Sequence, residues 1–191
     1  MAASPGDRLG VHRERDPSQR RLPDCAAGYG HEEVVTLLLE NGADVQQKDN
    51  EEQTALYCAA GGGNLNVVEK ILRNGADIQE IDAEGRTALH FAASRGHADV
   101  VRTLLNGGGN AEATDSRGRT ALHFAAGHGF EEVVKMLLEV VVHTNIVSAR
   151  DTNGKTALDF AARGVWARKK NYEAVSKLPL EGRSVRAKLY Q

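Results

Sequence analysis

Aromatic side chains are scarce in this chain, at 5% of its residues, which disfavours a sandwich built around large rings. Cysteine is limited to Cys25 and Cys58, too few for a disulfide framework, and no CxxC pair or Cys/His cluster suits zinc. No apolar run approaches the roughly 18 residues of a membrane helix. The stretch from Met1 to Asp24 is charged throughout, unlike a secretory signal. We therefore expect no membrane association and a cytoplasmic location, with the nucleus as an alternative.

Small apolar residues and charges make up most of the chain. Apolar residues account for 41% and charged residues for 26%, which allows a buried core and a soluble surface. Ala, Leu, Val and Gly dominate, which favours short, closely packed helices. The net charge of −2 is uneven: residues 25–162 carry twenty acidic and eleven basic side chains, whereas residues 163–191 carry two and eight. The pattern indicates an acidic body with a basic tail.

One heptapeptide recurs four times. Its copies are Thr54-Ala-Leu-Tyr-Cys-Ala-Ala, Thr87-Ala-Leu-His-Phe-Ala-Ala, Thr120-Ala-Leu-His-Phe-Ala-Ala and Thr156-Ala-Leu-Asp-Phe-Ala-Ala, at intervals of 33, 33 and 36 residues. Other positions share the 33-residue period, among them Gly30, Gly63, Gly96 and Gly129, and Val34, Val67, Val100 and Val133. Self-similarity at a fixed period of this length predicts a repeat architecture.

Each unit reads as two short helices and a turn. In the unit at 82–114, the stretch from Thr87 has apolar residues at helical spacing, and Gly96 can supply the left-handed residue that ends such a helix. A second apolar stripe follows at Val100, Val101, Leu104 and Leu105. The segment Asp82-Ala-Glu-Gly85 predicts a tight turn. One unit cannot bury its own stripe, so neighbouring units must stack.

These linked motifs resemble the ankyrin repeat, strongly over about residues 22 to 162 and weakly to about 182. The family's Thr-Pro-Leu-His signature is present with Ala in the proline position, at Ala55, Ala88, Ala121 and Ala157. The resemblance implies an all-α repeat solenoid of stacked helix-turn-helix units with projecting β-hairpin loops. We expect a flexible charged arm at 1–20, a repeat domain at 21–182 and a basic tail at 183–191. The expected units are about 21–48, 49–81, 82–114, 115–150 and 151–182.

Three places depart from the pattern. Pro23 predicts a short first helix that starts there, because proline is tolerated only in a first turn. At Val140–Val147, a β-branched run replaces Asn-Gly-Ala and lengthens the unit by three residues. That insertion either buries itself against the last repeat or presents an apolar contact to a partner. The fifth unit diverges after Ala162, with a second helix expected over Asn171–Leu178 as a C-terminal cap.

No catalytic or cofactor motif is present. The sequence lacks HExxH and GxSxG, and neither Gly61–Gly63 nor Gly107–Gly109 is followed by the Lys-Ser/Thr of a phosphate loop. The resemblance implies that His90 and His123 hydrogen-bond between neighbouring hairpins. Cys25 and Cys58 lie at equivalent positions of helices about 8–10 Å apart, too far for a disulfide, so both are expected to be small buried residues. We predict no enzyme activity, no cofactor and no metal site.

Recognition should use the variable positions, which the resemblance places at the hairpin tips and on the inner face of the first helices. The predicted partner-binding residues are Tyr29, Glu51, Gln53, Glu84, Arg86, Ser94, Arg95, Arg117, Arg119, His128, Asn153 and Lys155. The tips change from acidic to basic along this row, which predicts a partner with the opposite gradient; a generic soluble surface is the alternative. Arginines at the centre suit binding hot spots. Charge reversal at Arg86 and Arg119 is expected to weaken binding and to leave thermal stability nearly unchanged.

The predicted function is non-catalytic: a protein-protein interaction module or adaptor. An inhibitor or regulatory subunit of an enzyme and an ankyrin fragment of a larger multidomain protein are the alternatives. The partner is expected to be another protein, and the chain a monomer. Nucleic acid is not expected, because the basic cluster Arg168-Lys-Lys170 and the tail lack an array of stacking aromatics.

Overall fold

The chain is an all-α repeat solenoid, as predicted. A computed structural model describes residues 24–140 and 146–163, with side chains from Ala26 onward. Its helices within those ranges are α1 (Asp24–Gly28), α2 (Glu32–Glu40), α3 (Ala55–Gly62), α4 (Leu65–Arg73), α5 (Ala88–Arg95), α6 (Ala98–Asn106), α7 (Ala121–His128), α8 (Glu131–Val140) and α9 (Ala157–Arg163). The predicted arm at 1–20, the helix at 171–178 and the tail at 183–191 lie outside the described residues.

The helices form two layers. The first helices of successive units, α1, α3, α5, α7 and α9, pack on one another, and the second helices α2, α4, α6 and α8 form the other layer. Alanine pairs at the centre of the first layer, such as Ala92 and Ala93, have no exposed surface. Their small side chains let neighbouring helices approach closely. In the second layer, the predicted stripe is buried, with Val100, Val101 and Leu104 at most 1% exposed.

Glycine ends the first helix of each of three units. Gly63, Gly96 and Gly129 have φ of 74°, 77° and 78°, in the left-handed region. Side chains with a Cβ rarely adopt this conformation, because the Cβ crowds the following carbonyl. The chain can therefore reverse at once into α4, α6 and α8, as the repeat pattern predicts.

The first described unit has a short first helix. Helix α1 has five residues, whereas α3, α5 and α7 have eight each, in agreement with the expectation drawn from Pro23. On α2, Val34 and Leu37 are 46% and 61% exposed. The equivalent Val67 and Val100 are 1% exposed, because a preceding unit covers them. No described helix covers the corresponding face of α2.

The end of the insertion packs against the repeats. Helix α8 has ten residues, one more than α4 or α6, and its last residue, Val140, is 58% exposed. Ile146 is 2% exposed and belongs to the core, and Val147 packs against it. The insertion is therefore buried at its C-terminal end, and residues 141–145 lie outside the described part of the chain.

Cys58 is a free thiol, but it is only half-buried, so the expectation of full burial was wrong. Its Sγ lies 3.7 Å from Gln53 Oε1. Phe91, Phe124 and Phe160 at the equivalent positions are also half-buried. Cys58 is therefore partly exposed because of its position in the unit, on a side of the first helices that neighbouring units do not fully cover. The Cys25 side chain lies outside the described residues.

Candidate partner-binding surface

An aspartate builds each hairpin turn. Asp82 Oδ1 accepts hydrogen bonds from the backbone N–H of Glu84 at 2.9 Å and of Arg86 at 2.8 Å, and Gly85 turns the chain with φ 74°. The same pair of bonds recurs at Asp49, Asp115 and Asp151. We call these four segments, 49–53, 82–86, 115–119 and 151–155, the hairpin turns. One carboxylate thus replaces the long strand ladder of a hairpin, and an isolated antiparallel bridge joins Ile81 and Thr87.

Neighbouring hairpin turns are hydrogen-bonded to each other through the backbone. The bonds run from Ala83 N to Glu51 O at 3.1 Å, from Ser116 N to Glu84 O at 2.9 Å and from Thr152 N to Arg117 O at 2.9 Å. Side chains at the tips therefore project from a linked backbone row. Binding through such a row loses less conformational entropy than binding through separate loops.

Two buried histidines tie the first helices to the next hairpin turn. His90 Nδ1 accepts the backbone N–H of Thr87 at 3.1 Å, so its proton is on Nε2, which donates to Arg119 O at 3.1 Å. His123 repeats the arrangement with the N–H of Thr120 and Lys155 O, both at 3.1 Å. Burial lowers the pKa of both histidines, which favours the neutral ring that this pattern requires. Their predicted role between hairpins is confirmed.

Arg86 and Arg119 pair with the carboxylates that build their own turns. Arg119 lies 2.6 Å from Asp115 Oδ2, and the Asp115 side chain has no exposed surface; Arg86 and Asp82 form the same pair at 2.6 Å. Burial by itself would raise the pKa of both aspartates, but the hydrogen bonds from the arginines outweigh it and the net shift is downward. Removing one partner of a buried pair is strongly destabilising. These pairs argue against the expectation that charge reversal here leaves stability unchanged, and we predict instead that it lowers stability.

The other predicted site residues have different degrees of exposure. Tyr29 is 78% exposed at the α1 end and lies beside His31. The remaining exposed members are Glu51, Glu84, Arg95, Arg117, His128 and Asn153, and the half-buried ones are Gln53, Ser94 and Lys155. Gln53 donates to Glu51 Oε2 at 2.9 Å, and the Ser94 hydroxyl donates to Phe91 O at 2.8 Å. Along the row of hairpin turns, the exposed side chains at one end, Glu51 and Glu84, are acidic. Arg117, further along the row, is exposed and basic.

A row of rings lies beside the hairpin turns. The Arg95 guanidinium is 5.0 Å from the centre of the Phe91 ring, and that of Arg119 is 4.5 Å from the centre of the Phe124 ring. Phe160 follows at the equivalent position of the fifth unit and contacts His123 edge-on at 5.3 Å. We call the surface between the hairpin turns and the first helices the groove.

The groove opens into a cleft between α7 and α9. The cleft holds about 1050 Å³ and brings together four predicted residues, Arg119, His128, Asn153 and Lys155. Its other lining residues include Phe124, Gly127, Phe160 and Arg163, which sequence reasoning did not select. The sequence does mark these positions as variable between units. Phe124 and Phe160 stand where an earlier unit has Cys58, and Gly127 stands where earlier units have Ser94 and Gly61.

The residues that the structure describes contain neither a metal site nor a membrane-spanning helix. Residues 24–140 and 146–163 contain no group of three or more His, Cys, Asp or Glu side chains arranged to hold a metal ion. None of the helices in this part of the chain combines the length and apolarity needed to cross a bilayer.

Comparison with known proteins agrees with the architecture. A family model described as ankyrin repeats (3 copies) matches residues 24–115 and 108–181. No curated protein matches the sequence.

Proposed function

The chain belongs to the ankyrin-repeat family, and on that premise we propose that it is a non-catalytic module that binds another protein through the groove and the hairpin tips. Repeats of this family are generally protein-protein interaction modules. Signature positions such as Thr87, Leu89 and His90 are at most 4% exposed and serve the fold. Recognition is left to the positions that vary between units, and these are the ones that line the groove.

One observation carries the proposal: the variable side chains project from a hydrogen-bonded backbone. Arg117 is exposed, while its carbonyl accepts the N–H of Thr152 and its N–H donates to Asp115. Arg95 is exposed on α5 and lies over Phe91. The backbone at Arg117 and the guanidinium of Arg95 are therefore held in place before a partner arrives, which reduces the entropy lost on binding.

The charges along the hairpin turns favour a partner with an opposite gradient. The exposed tip side chains are acidic at Glu51, Glu52 and Glu84 and basic at Arg117, with Lys155 half-buried beyond it. Complementary potentials raise the association rate and align the partner. We propose that the partner places basic side chains near Glu51 and acidic side chains near Arg117 and Lys155.

The test compares charge reversals in and outside the groove. A partner captured from the source cells is first identified, and its purified form is then titrated against Arg95→Glu, Arg117→Glu and Arg102→Glu. Arg102 lies on α6 in the second helix layer and is 58% exposed in its side chain, so it is a matched control outside the groove. We expect each groove variant to weaken binding about tenfold, or about 1.4 kcal/mol, and the control to bind normally. Unchanged affinity in both folded groove variants would contradict the proposal.

A further inference from the structure

One of the residues that line the cleft between α7 and α9 is a glycine, which has no side chain. Gly127 lies in the cleft with the rings of Phe124 and Phe160 among its walls. A Cβ added to Gly127 would lie 3.4 Å from Phe160 Cδ1, an ordinary van der Waals contact. A single added carbon would therefore fit beside Gly127 in contact with the Phe160 ring, within a cleft that Phe124 and Phe160 help to line.

The equivalent position of an earlier unit has no such space. Gly61 stands 66 residues before Gly127 in the repeat, and a Cβ there would lie 2.1 Å from the Phe91 ring. The ring of Phe91 also stacks on Tyr57 at 4.5 Å and so fills the position. In the unit between these two, the equivalent position is occupied by Ser94. An open position flanked by two phenylalanines is thus particular to the Gly127 unit among these three.

Two basic side chains without an ion-pair partner among the described residues lie at the edge of the cleft. The charged residues that line it in the described ranges are Arg119, Lys155, Arg163 and Asp151, and Arg119 is already paired with Asp115. Asp151 is buried, and its Oδ1 accepts two backbone N–H groups of its own turn. Neither Lys155 nor Arg163 forms an ion pair with any residue in the described ranges. Within the described part of the chain, an anion that enters the cleft would meet these two charges, with Asp159 near Lys155.

Aromatic walls and a basic edge together select one kind of ligand. An apolar side chain placed over Gly127 would bury surface against two rings, at about 25 cal/mol for each Å² removed from water. A carboxylate near it would meet Lys155 and Arg163. Nucleic acid is less suitable, because the two rings that line the cleft, Phe124 and Phe160, are fewer than the array of stacking aromatics that successive bases use.

We propose that this cleft binds an extended acidic peptide segment, with one apolar side chain between Phe124 and Phe160 over Gly127 and a neighbouring carboxylate beside Lys155 and Arg163. The proposal rests on the proposed function and adds the chemistry of the partner segment. The described residues leave this cleft unfilled. Arg119 forms a wall of the cleft and remains paired with Asp115.

The experiment uses a phage-displayed library of random 12-residue peptides, selected on the full chain and then synthesised with a fluorescent label. We expect the enriched peptides to share an acidic residue within a few positions of an apolar one. In fluorescence anisotropy, Gly127→Leu should fill the cleft and weaken binding at least tenfold, and Lys155→Glu should have a similar effect. Replacing the peptide's acid by its amide should weaken binding to the wild-type chain but change little in Lys155→Glu.

Control variants separate blocking of the cleft from unfolding. Gly127→Ala retains most of the space and favours helix, so it should bind nearly as the wild type and melt no lower. Lys135→Glu, on α8 outside the groove, should bind normally. Enrichment of basic peptides, no enrichment, displacement of the peptides by single-stranded RNA, or binding that Gly127→Leu leaves unchanged would each overturn the proposal.

The failure of this proposal differs from the failure of the proposed function. If a natural partner depends on Arg95 and Arg117 but not on Gly127 or Lys155, the groove binds protein and the cleft is not its peptide site. If the partner is insensitive to all four positions, the proposed function fails as well.

Discussion

Arg119 and the buried Asp115 form an ion pair 2.6 Å long within one hairpin turn. The carboxylate of Asp115 also accepts the backbone N–H groups of Arg117 and Arg119, so a single acid holds both the turn and the guanidinium. Arg119 in turn lies over Phe124. The pair therefore connects the hairpin turn to the first helix of the same unit.

The first prediction concerns this pair. Arg119→Ala should lower the free energy of unfolding by about 3 kcal/mol, because it leaves a buried carboxylate without its counter-charge. Arg117→Ala, two residues away and exposed, should change it by less than about 0.5 kcal/mol. Urea denaturation followed by circular dichroism measures both. A loss of under about 1 kcal/mol for Arg119→Ala would mean that the pair behaves like an exposed one.

The second prediction concerns Glu52, which has φ 59° where other turns have glycine. Gly85 and Gly154 at the equivalent position have φ of 74° and 72°. Because a left-handed conformation strains an L side chain by about 1–2 kcal/mol, Glu52→Gly should stabilise the chain by about 0.5–1 kcal/mol after the entropy of glycine is subtracted.

The control for the Glu52→Gly prediction is the reverse change, from a turn glycine to a residue with a Cβ. An added Cβ at Gly154 meets nothing within 4 Å, so Gly154→Ala tests backbone strain without a clash. It should destabilise the chain by about 1 kcal/mol. Thermal melts of both variants check the pair. If Glu52→Gly lowers the melting temperature, strain at this turn is not the controlling factor.

The third prediction concerns pH. The folded-state pKa of His90 and His123 is lowered by burial, so the unfolded chain binds these protons more readily. Their contribution to stability is complete above the unfolded pKa of about 6.5 and is lost as pH falls from there toward the folded-state pKa. The pKa of Asp82 and Asp115 is also lowered, so the stability from the aspartates is lost only below about pH 4.

Urea titrations between pH 8 and pH 3 should therefore show two separate losses of stability. In His123→Gln the decline between about pH 7 and pH 5 should be shallower than in the wild type, because one of the two histidines no longer takes up a proton on unfolding. An unaltered slope in His123→Gln would show that His123 is not a source of the decline.

The fourth prediction compares one repeat position in two units. Val100 is 1% exposed and Val34 is 46% exposed. Val100→Ala should cost about 2 kcal/mol, because it removes two methyl groups from a packed interface and leaves a cavity. Val34→Ala should cost less than about 0.5 kcal/mol. Equal losses in denaturation experiments would indicate that Val34 is covered in the folded chain.

Much of the fold could be predicted from sequence, because the repeat multiplies each local signal. The left-handed glycine at Gly96, the stripe of Val100, Val101 and Leu104, and the turn at Asp82–Gly85 each follow from local chemistry. Each signal recurs with the same period, so weak preferences add up to one architecture. The site was less predictable, since repeat phase identifies which positions vary but not which of them are exposed.

Arg86 shows that limit. Its charge and its place at a hairpin tip suggested binding, yet its side chain is only 24% exposed and pairs with Asp82. Whether an arginine faces a partner or its own turn depends on the burial of the carboxylate four residues earlier. Arg86 also lies over the ring of Tyr57 in the preceding unit, at 5.8 Å, and a local motif does not contain that neighbour.

The repeat, the helix pairs and the hairpin turns follow from the amino-acid sequence, because they depend on short-range preferences repeated at a fixed interval. The roles of His90 and His123 followed from the resemblance to the ankyrin family. Which side chains remain for recognition depends on how the units pack. The rings of Phe91 and Phe160 occupy the same repeat position, but a Cβ added to Gly61 would lie 2.1 Å from the Phe91 ring, whereas one added to Gly127 would lie 3.4 Å from the Phe160 ring. The physical reason is packing: a cleft exists where two stacked units leave a gap, and its size depends on the relative placement of both.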